Sequence, residues 1–153
     1  MEKRASSQRT QSLAINKLEP SDTETLNEIK LLHIRVLGSQ SDVDVEACAK
    51  VDANEIHYVL NPEGIVIGYM ILQVEFDTVN VLAIGVDDRL REKGVGTTLL
   101  KPTLEKYRIT RLAVAQENKE AIRFYSKLGF IPEAVLVDYY GLEQHGFSMV
   151  YSK

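Results

Sequence analysis

Six consecutive residues, Arg91-Glu92-Lys93-Gly94-Val95-Gly96, carry the clearest chemistry in the chain. They follow an apolar, strand-like run from Val79 to Val86 and lead into a helix-like run from Thr97 onward. Where a loop turns from strand into helix, glycines remove side chains, so several backbone N–H groups converge on an anion at the positive end of the helix. The segment is built to hold phosphate. Two familiar phosphate loops do not fit it. The dinucleotide fingerprint needs a further glycine where Leu99 stands, and a P-loop needs Gly-Lys-Ser/Thr after four spacers.

Other candidates lie on either side of this loop. Asn118 precedes the run Lys119 to Leu128 and suits a helix N-cap. Tyr125, inside that run, is either a packed tyrosine or a proton donor. Tyr139 and Tyr140 are adjacent aromatics with polar tips, and Asn80 is the polar exception in an otherwise apolar strand. His33 and His57 have no carboxylate or cysteine at metal-site spacing, so no metal is implied.

These residues need elements to place them. Leu13 to Leu18 alternates like a short strand, and Ser21-Asp22-Thr23-Glu24 has the form of a capping box. Leu26, Ile29, Leu32 or His33, and Val36 recur at helical spacing, with Gly38 as a stop. A short helix is predicted over Val43 to Lys50. Ile56 to Leu60 and Ile65 to Phe76, joined by Asn61-Pro62-Glu63-Gly64, read as a hairpin. Val79 to Val86 is apolar on both faces and should be a central strand. Pro102 lies inside the helix after Gly96 and predicts a kink or an early end there. A strand from Arg111 to Ala115, a helix from Lys119 to Leu128 closed by Gly129, and strands from Phe130 to Tyr139 and Phe147 to Tyr151 complete a mixed α/β domain.

The chain has 153 residues, 44% of them apolar and 26% charged, which fits one domain with one good core. Residues 1–12 hold almost no apolar side chains and read as a flexible tail, leaving 13–153 as the domain. No apolar run approaches a membrane span of ~20 residues. A net charge of −4 argues against a broad grip on nucleic acid and is compatible with a cationic amine substrate. Cys48 has no second cysteine to pair with and no signal-peptide pattern precedes the domain, so a cytoplasmic or nuclear, reducing setting is expected.

Arg91-x-x-Gly94-x-Gly96, together with Asn118-x-x-Ala121-Ile122-x-Phe124-Tyr125-x-x-x-Gly129-Phe130, resembles the GCN5-related N-acetyltransferase superfamily. With Tyr139-Tyr140, the chain looks most like its protein N-terminal acetyltransferases, the NatE-type catalytic subunit and the ribosomal-protein alanine acetyltransferase. The resemblance runs from about Ala14 to Tyr151 and is strongest from Val79 to Phe130. It implies a central mixed sheet splayed between its fourth and fifth strands, flanked by helices, with acetyl-CoA in the wedge.

Carried over, backbone groups of Arg91, Glu92, Lys93, Gly94, Val95, Gly96 and Thr97 hold the pyrophosphate. Ile84, Gly85 and Val86 bind the pantetheine arm and polarise the thioester carbonyl. Asn118 touches the cofactor arm, and Tyr125 protonates the leaving thiolate. Leu37, Tyr139 and Tyr140 line the acceptor groove. The implied reaction is direct transfer of acetyl to an amine, most simply the α-amine of a protein or peptide. Small amines, and a non-catalytic acetyl-CoA-binding subunit, are the alternatives. A partner subunit is compatible with the resemblance.

The chain departs from these relatives where they carry a general base. Asn80 and Ala113 stand at those positions, and neither accepts a proton. Asn80 is suited to holding a water that relays a proton toward Glu75, His57 or His145. Val36-Leu37-Gly38-Ser39 also replaces the Phe-Pro type segment that shapes the relatives' first-residue pocket.

Overall fold

The computed structural model describes residues 13–38, 41–90 and 94–153. The tail expected over residues 1–12 and the loop residues Arg91, Glu92 and Lys93 lie outside the described residues.

The element order is that read from the sequence: β1 (Ile15–Lys17), α1 (Thr23–Val36), α2 (Val45–Ala49), β2 (Asn54–Leu60), β3 (Val66–Glu75), β4 (Thr78–Val86), a 3₁₀ turn (Asp88–Leu90), α3 (Val95–Lys106), β5 (Ile109–Ala115), α4 (Lys119–Leu128), β6 (Ile131–Leu136) and β7 (Gly146–Ser152). The strands form one sheet in the order β1-β2-β3-β4-β5-β7-β6. β4 is its middle strand. It runs antiparallel to β3 and parallel to β5.

Local chemistry sets the ends of these elements. The Asn61 side-chain oxygen accepts from the amides of Glu63 and Ile65 and shapes the β2–β3 turn. The N-cap of α1 is Asp22, whose carboxylate accepts from the Thr25 amide at 3.0 Å. Ser21 is therefore not the cap, and Glu24 sits one position too early to close a capping box. Pro102 does not end α3 early, since the helix continues to Lys106. Leu99, Leu100, Thr103 and Leu104 are all buried around it, so packing on both sides of the proline holds the helix despite the lost bond to the Thr98 carbonyl.

Two apolar layers sandwich the sheet. Ile29 and Leu32 of α1 and Val45 of α2 pack with Ile56, Tyr58, Tyr69, Ile71 and Ala83 on one face. Leu99, Leu100 and Leu104 of α3 pack with Met70, Leu72, Val79, Val81, Leu112 and Met149 on the other. β3 is covered on both sides, with Tyr69, Met70, Ile71 and Leu72 fully buried. Burying such side chains contributes ~1.5–3 kcal/mol each. The edge strand β6 is exposed along nearly its whole length, and it stops at Leu136. Tyr139 is thus in a turn and not in the strand predicted to reach it, because β7 begins only at Gly146 and offers no partner beyond that register.

Candidate active site

The β4–β5 ladder runs only from Thr78↔Ile109 to Val81↔Leu112. On the β3 side, Ile71 faces Ala83 and Leu72 faces Val81, which leaves Leu82 as an extra, bulged residue. The bulge thus begins one residue after the last β4–β5 pair, and the two parallel strands part there. The Asp87 amide donates to the Ile67 carbonyl of β3. Strand alternation then turns the Gly85 amide toward β3 and the Ile84 and Val86 amides toward β5, into the wedge. Two backbone donors therefore face a gap between strands.

The wedge opens into a cleft of about 2020 Å³. Small-ligand pockets occupy ~300–1,000 Å³, so this one has room for a long ligand and a second molecule. The described cofactor- and acceptor-site candidates from the sequence line it: Leu37, Asn80, Ile84, Gly85, Val86, Gly94, Val95, Gly96, Thr97, Asn118, Tyr125, Tyr139 and Tyr140. Arg91, Glu92 and Lys93 fall outside the described residues. Glu75, His57 and His145 do not line the cleft. His57 is instead paired with Glu55 on β2 at 3.0 Å, and the His145 ring accepts from the Asp138 amide at 2.9 Å.

At the start of the helix beside the wedge, Gly94 caps α3 with φ of 86°, a left-handed conformation that a side chain resists. A Cβ on Gly96 would lie 2.9 Å from Phe124, so the start of α3 rests against α4. Asn118 caps α4, its side-chain oxygen accepting from the Ala121 amide at 3.1 Å. Among the described residues its NH₂ group has no partner, which leaves it as a donor for a ligand.

Tyr125 is buried beside Phe124 and Phe130. Burial, reinforced by Tyr140, raises its pKa well above that of a free phenol, so the phenol keeps its proton. Burial also pushes Tyr140 up to about 12, with Tyr139 adding to the effect. The Tyr140 ring rests on Gly146, where a Cβ would meet it at 2.8 Å, and Tyr139 stands edge-on to it with ring centroids 4.9 Å apart.

Sequence reading missed the polar floor of the cleft. Gln73 faces Asn80, Asn80 faces Arg111, and Ala113 faces Ser148, so these side chains share one face of the sheet. Asn80 donates to Gln73 at 3.4 Å. Arg111 donates to Glu133 at 2.9 Å, and Ser148 donates to the same carboxylate at 3.1 Å. The Arg111 hydrogen bond holds Glu133 below the usual carboxylate range. Glu133 reaches the pair from a bulge in β6, between Pro132 and Ala134. A bulge shifts which face a residue takes, and no local motif announces it.

The buried Asp87 was also missed. Its carboxylate accepts from Arg89 at 2.7 Å and Arg35 at 3.1 Å, and from the Arg89 amide at 3.0 Å. The Arg89 bond, with the others behind it, holds the group far below the ordinary aspartate range. Asp87 thereby ties the end of α1 to the turn that leads from β4 toward α3. The signal was faint: an Asp-Asp-Arg run directly after a strand.

A mixed sheet that parts between two parallel strands, with a glycine-capped helix beside the gap, defines a fold class, and the sequence assigns the chain within it. The chain belongs to the acetyltransferase (GNAT) family, whose model matches residues 23–130. Among curated proteins it is 30% identical over 103 residues to an uncharacterized N-acetyltransferase, MJ1530, of Methanocaldococcus jannaschii, covering 63% of this chain and 65% of that protein. The chain thus spans just under two thirds of the length of that relative.

Among solved structures, the fold is similar to the ribosomal-protein-S18-alanine N-acetyltransferase of Escherichia coli, with a TM-score of 0.78 at 20% identity over 92% of this chain and 94% of that one. It is also similar to a mutant of the spermidine N-acetyltransferase SpeG of Vibrio cholerae, with a TM-score of 0.74 at 20% identity over 92% and 93% of the two chains. A protein acceptor and a polyamine acceptor are thus both represented on this fold.

Proposed function

We propose that the chain transfers acetyl from acetyl-CoA directly to the α-amine of a protein or peptide. The wedge is suited to the cosubstrate: the Ile84 and Val86 amides face a gap that a thioester arm fills, and the capped start of α3 faces its phosphates. Acetyl-CoA supplies the activated acyl group. The Ile84 and Val86 amides stabilise the charge that develops on the carbonyl oxygen when the amine attacks. Tyr125 keeps its proton and donates it to the departing sulfur, and the proton that the attacking nitrogen sheds as the amide forms passes through the open cleft to restore the phenol.

The observation that carries the choice of acceptor is the pair Asn80 and Ala113, which line the cleft on either side of the point where β4 and β5 part and cannot titrate. Without a base there, the acceptor must arrive already neutral. At about pH 7.5 an α-amine of pKa ~7.7–8.0 is roughly one third neutral, whereas an alkylamine of pKa ~10.4 is about one part in a thousand neutral. The site as built favours the first by over two orders of magnitude. Asp42, Asp44 and Glu117 on the cleft wall favour a second reading, a small polyamine held by its other charges.

The deciding experiment follows thiol release from acetyl-CoA with short peptides, spermidine and free amino acids. Turnover on peptides, rising with pH and levelling as the α-amine loses its proton, supports the proposal. Turnover on spermidine alone moves the assignment to small amines. Tight acetyl-CoA binding with no turnover removes catalysis from it.

A further inference from the structure

His33 and Tyr69 share a short hydrogen bond in the interior, between Nδ1 and the phenolic hydroxyl, with both side chains buried. Their rings meet edge to face, with centroids 5.7 Å apart. His33 lies in α1, three residues before Val36, and Tyr69 lies in β3. In a neutral imidazole Nδ1 accepts from the Tyr69 hydroxyl in one tautomer and donates to it in the other, so the buried pair is satisfied in both. Burial favours that neutral form by lowering the His33 pKa.

Both members of this buried pair sit beside residues that line the cleft, His33 one helical turn before Val36 and Tyr69 across from β4. Val43 lines the cleft, in the α1–α2 connection, together with Val36, Leu37 and Ser41. Tyr69 lies opposite Gly85 in the β3–β4 ladder. A Cβ on Gly85 would lie 2.5 Å from the Tyr69 ring, 2.8 Å from its hydroxyl and 2.8 Å from Val36. Gly85 stands between the two residues whose amides face the wedge. The wall over the cleft is thus registered to the strand whose amides face the wedge through Val36, His33, Tyr69 and Gly85.

We propose that His33 and Tyr69 are positioning residues that set the acceptor wall, Val36, Leu37 and Val43, against the wedge and so fix which first residue of an acceptor is taken. This rests on the acetyl-transfer reading above. The test compares the full-length protein with Tyr69→Phe and His33→Gln. It uses acetyl-CoA affinity by calorimetry, peptide affinity for the CoA-bound protein, acceptor kcat and KM over peptides differing in their first residue, and thermal melting.

Tyr69→Phe should leave acetyl-CoA affinity within about twofold, raise acceptor KM about tenfold and flatten the preference among first residues, as loss of one buried hydrogen bond allows. His33→Gln keeps a polar group able to hydrogen-bond the Tyr69 hydroxyl and should retain much of the preference that Tyr69→Phe loses. A lower melting temperature with unchanged acceptor KM, peptide affinity and preference would overturn the inference and leave the pair as packing. If the wild-type protein neither binds nor acetylates any peptide, the acetyl-transfer reading fails instead, and the inference falls with it.

Discussion

Val81 and Leu112 are the last residues at which β4 and β5 face each other, and the bulge at Leu82 follows directly on β4. The ladder to β3 absorbs the extra residue while the ladder to β5 ends. Beyond this point the Ile84 and Val86 amides point where a strand partner would otherwise sit. In the free protein they should exchange with solvent faster than the amides of Gly85 and Asp87, which face β3. Acetyl-CoA should protect them selectively. Residue-resolved hydrogen exchange with and without cofactor checks this, and equal protection of all four residues in the free protein would rule out a pair of open donors.

Gly94→Val places a β-branched residue at a φ of 86°. No described residue lies within 4 Å of its Cβ position, so among the described residues the penalty is conformational and amounts to ~1–2 kcal/mol. The loop should shift and acetyl-CoA affinity should fall at least about tenfold. Gly94→Asn, a residue that tolerates the left-handed region, should keep most of it. Calorimetry on both variants separates backbone conformation from side-chain crowding.

Tyr125→Phe removes a phenol that burial keeps protonated. Acetyl-CoA affinity should change little while kcat drops about 10²-fold or more, the usual contribution of a positioned proton donor. An unchanged kcat would return Tyr125 to a packing role beside Phe124 and Phe130.

Asp87→Asn keeps the shape of a buried carboxylate and removes its charge between Arg35 and Arg89. Hydrogen bonds to charged groups are worth ~1.5–3 kcal/mol, so stability should fall by about 2 kcal/mol. Because the folded pKa lies below the unfolded one, this stabilisation is complete above ~3.9 and fades as pH falls toward the depressed folded value. Urea titrations of wild type and variant should therefore converge in strong acid.

His33 works in the same direction in a different window. Its folded pKa is lowered by burial, so the unfolded chain takes up the proton first as pH drops below ~6.5. Stability should be level above that pH and decline below it until the folded pKa is reached. In His33→Gln this part of the pH dependence should be absent.

Much of the fold was legible because it depends on local patterns. The glycine pair Gly94 and Gly96, the Asn118 cap, the Gly129 stop and the apolar run of β4 each declare themselves within a few residues. The errors came where distant packing decides. Pro102 is overruled by the buried leucines around it, and Tyr139 falls in a turn because its neighbour strand starts late. The floor residues Arg111 and Ser148 needed strand register, and a bulge, to meet Glu133. The His33–Tyr69 pair joins residues 36 positions apart, a separation that no spacing rule covers.

The outer strand β6 leaves Ile131 and Val135 exposed, with Val137 just beyond it. A flat apolar edge of this kind invites strand addition from another chain and growth into aggregates. Pro132 offers no N–H, and the bulge at Glu133 breaks the spacing of the groups that remain. The opposite edge, β1, is only three residues long. Glu133 thus lies in the same bulge that both reaches Arg111 and Ser148 inside the cleft and spoils the template outside it. Straightening β6 would therefore be expected to harm solubility as well as the site.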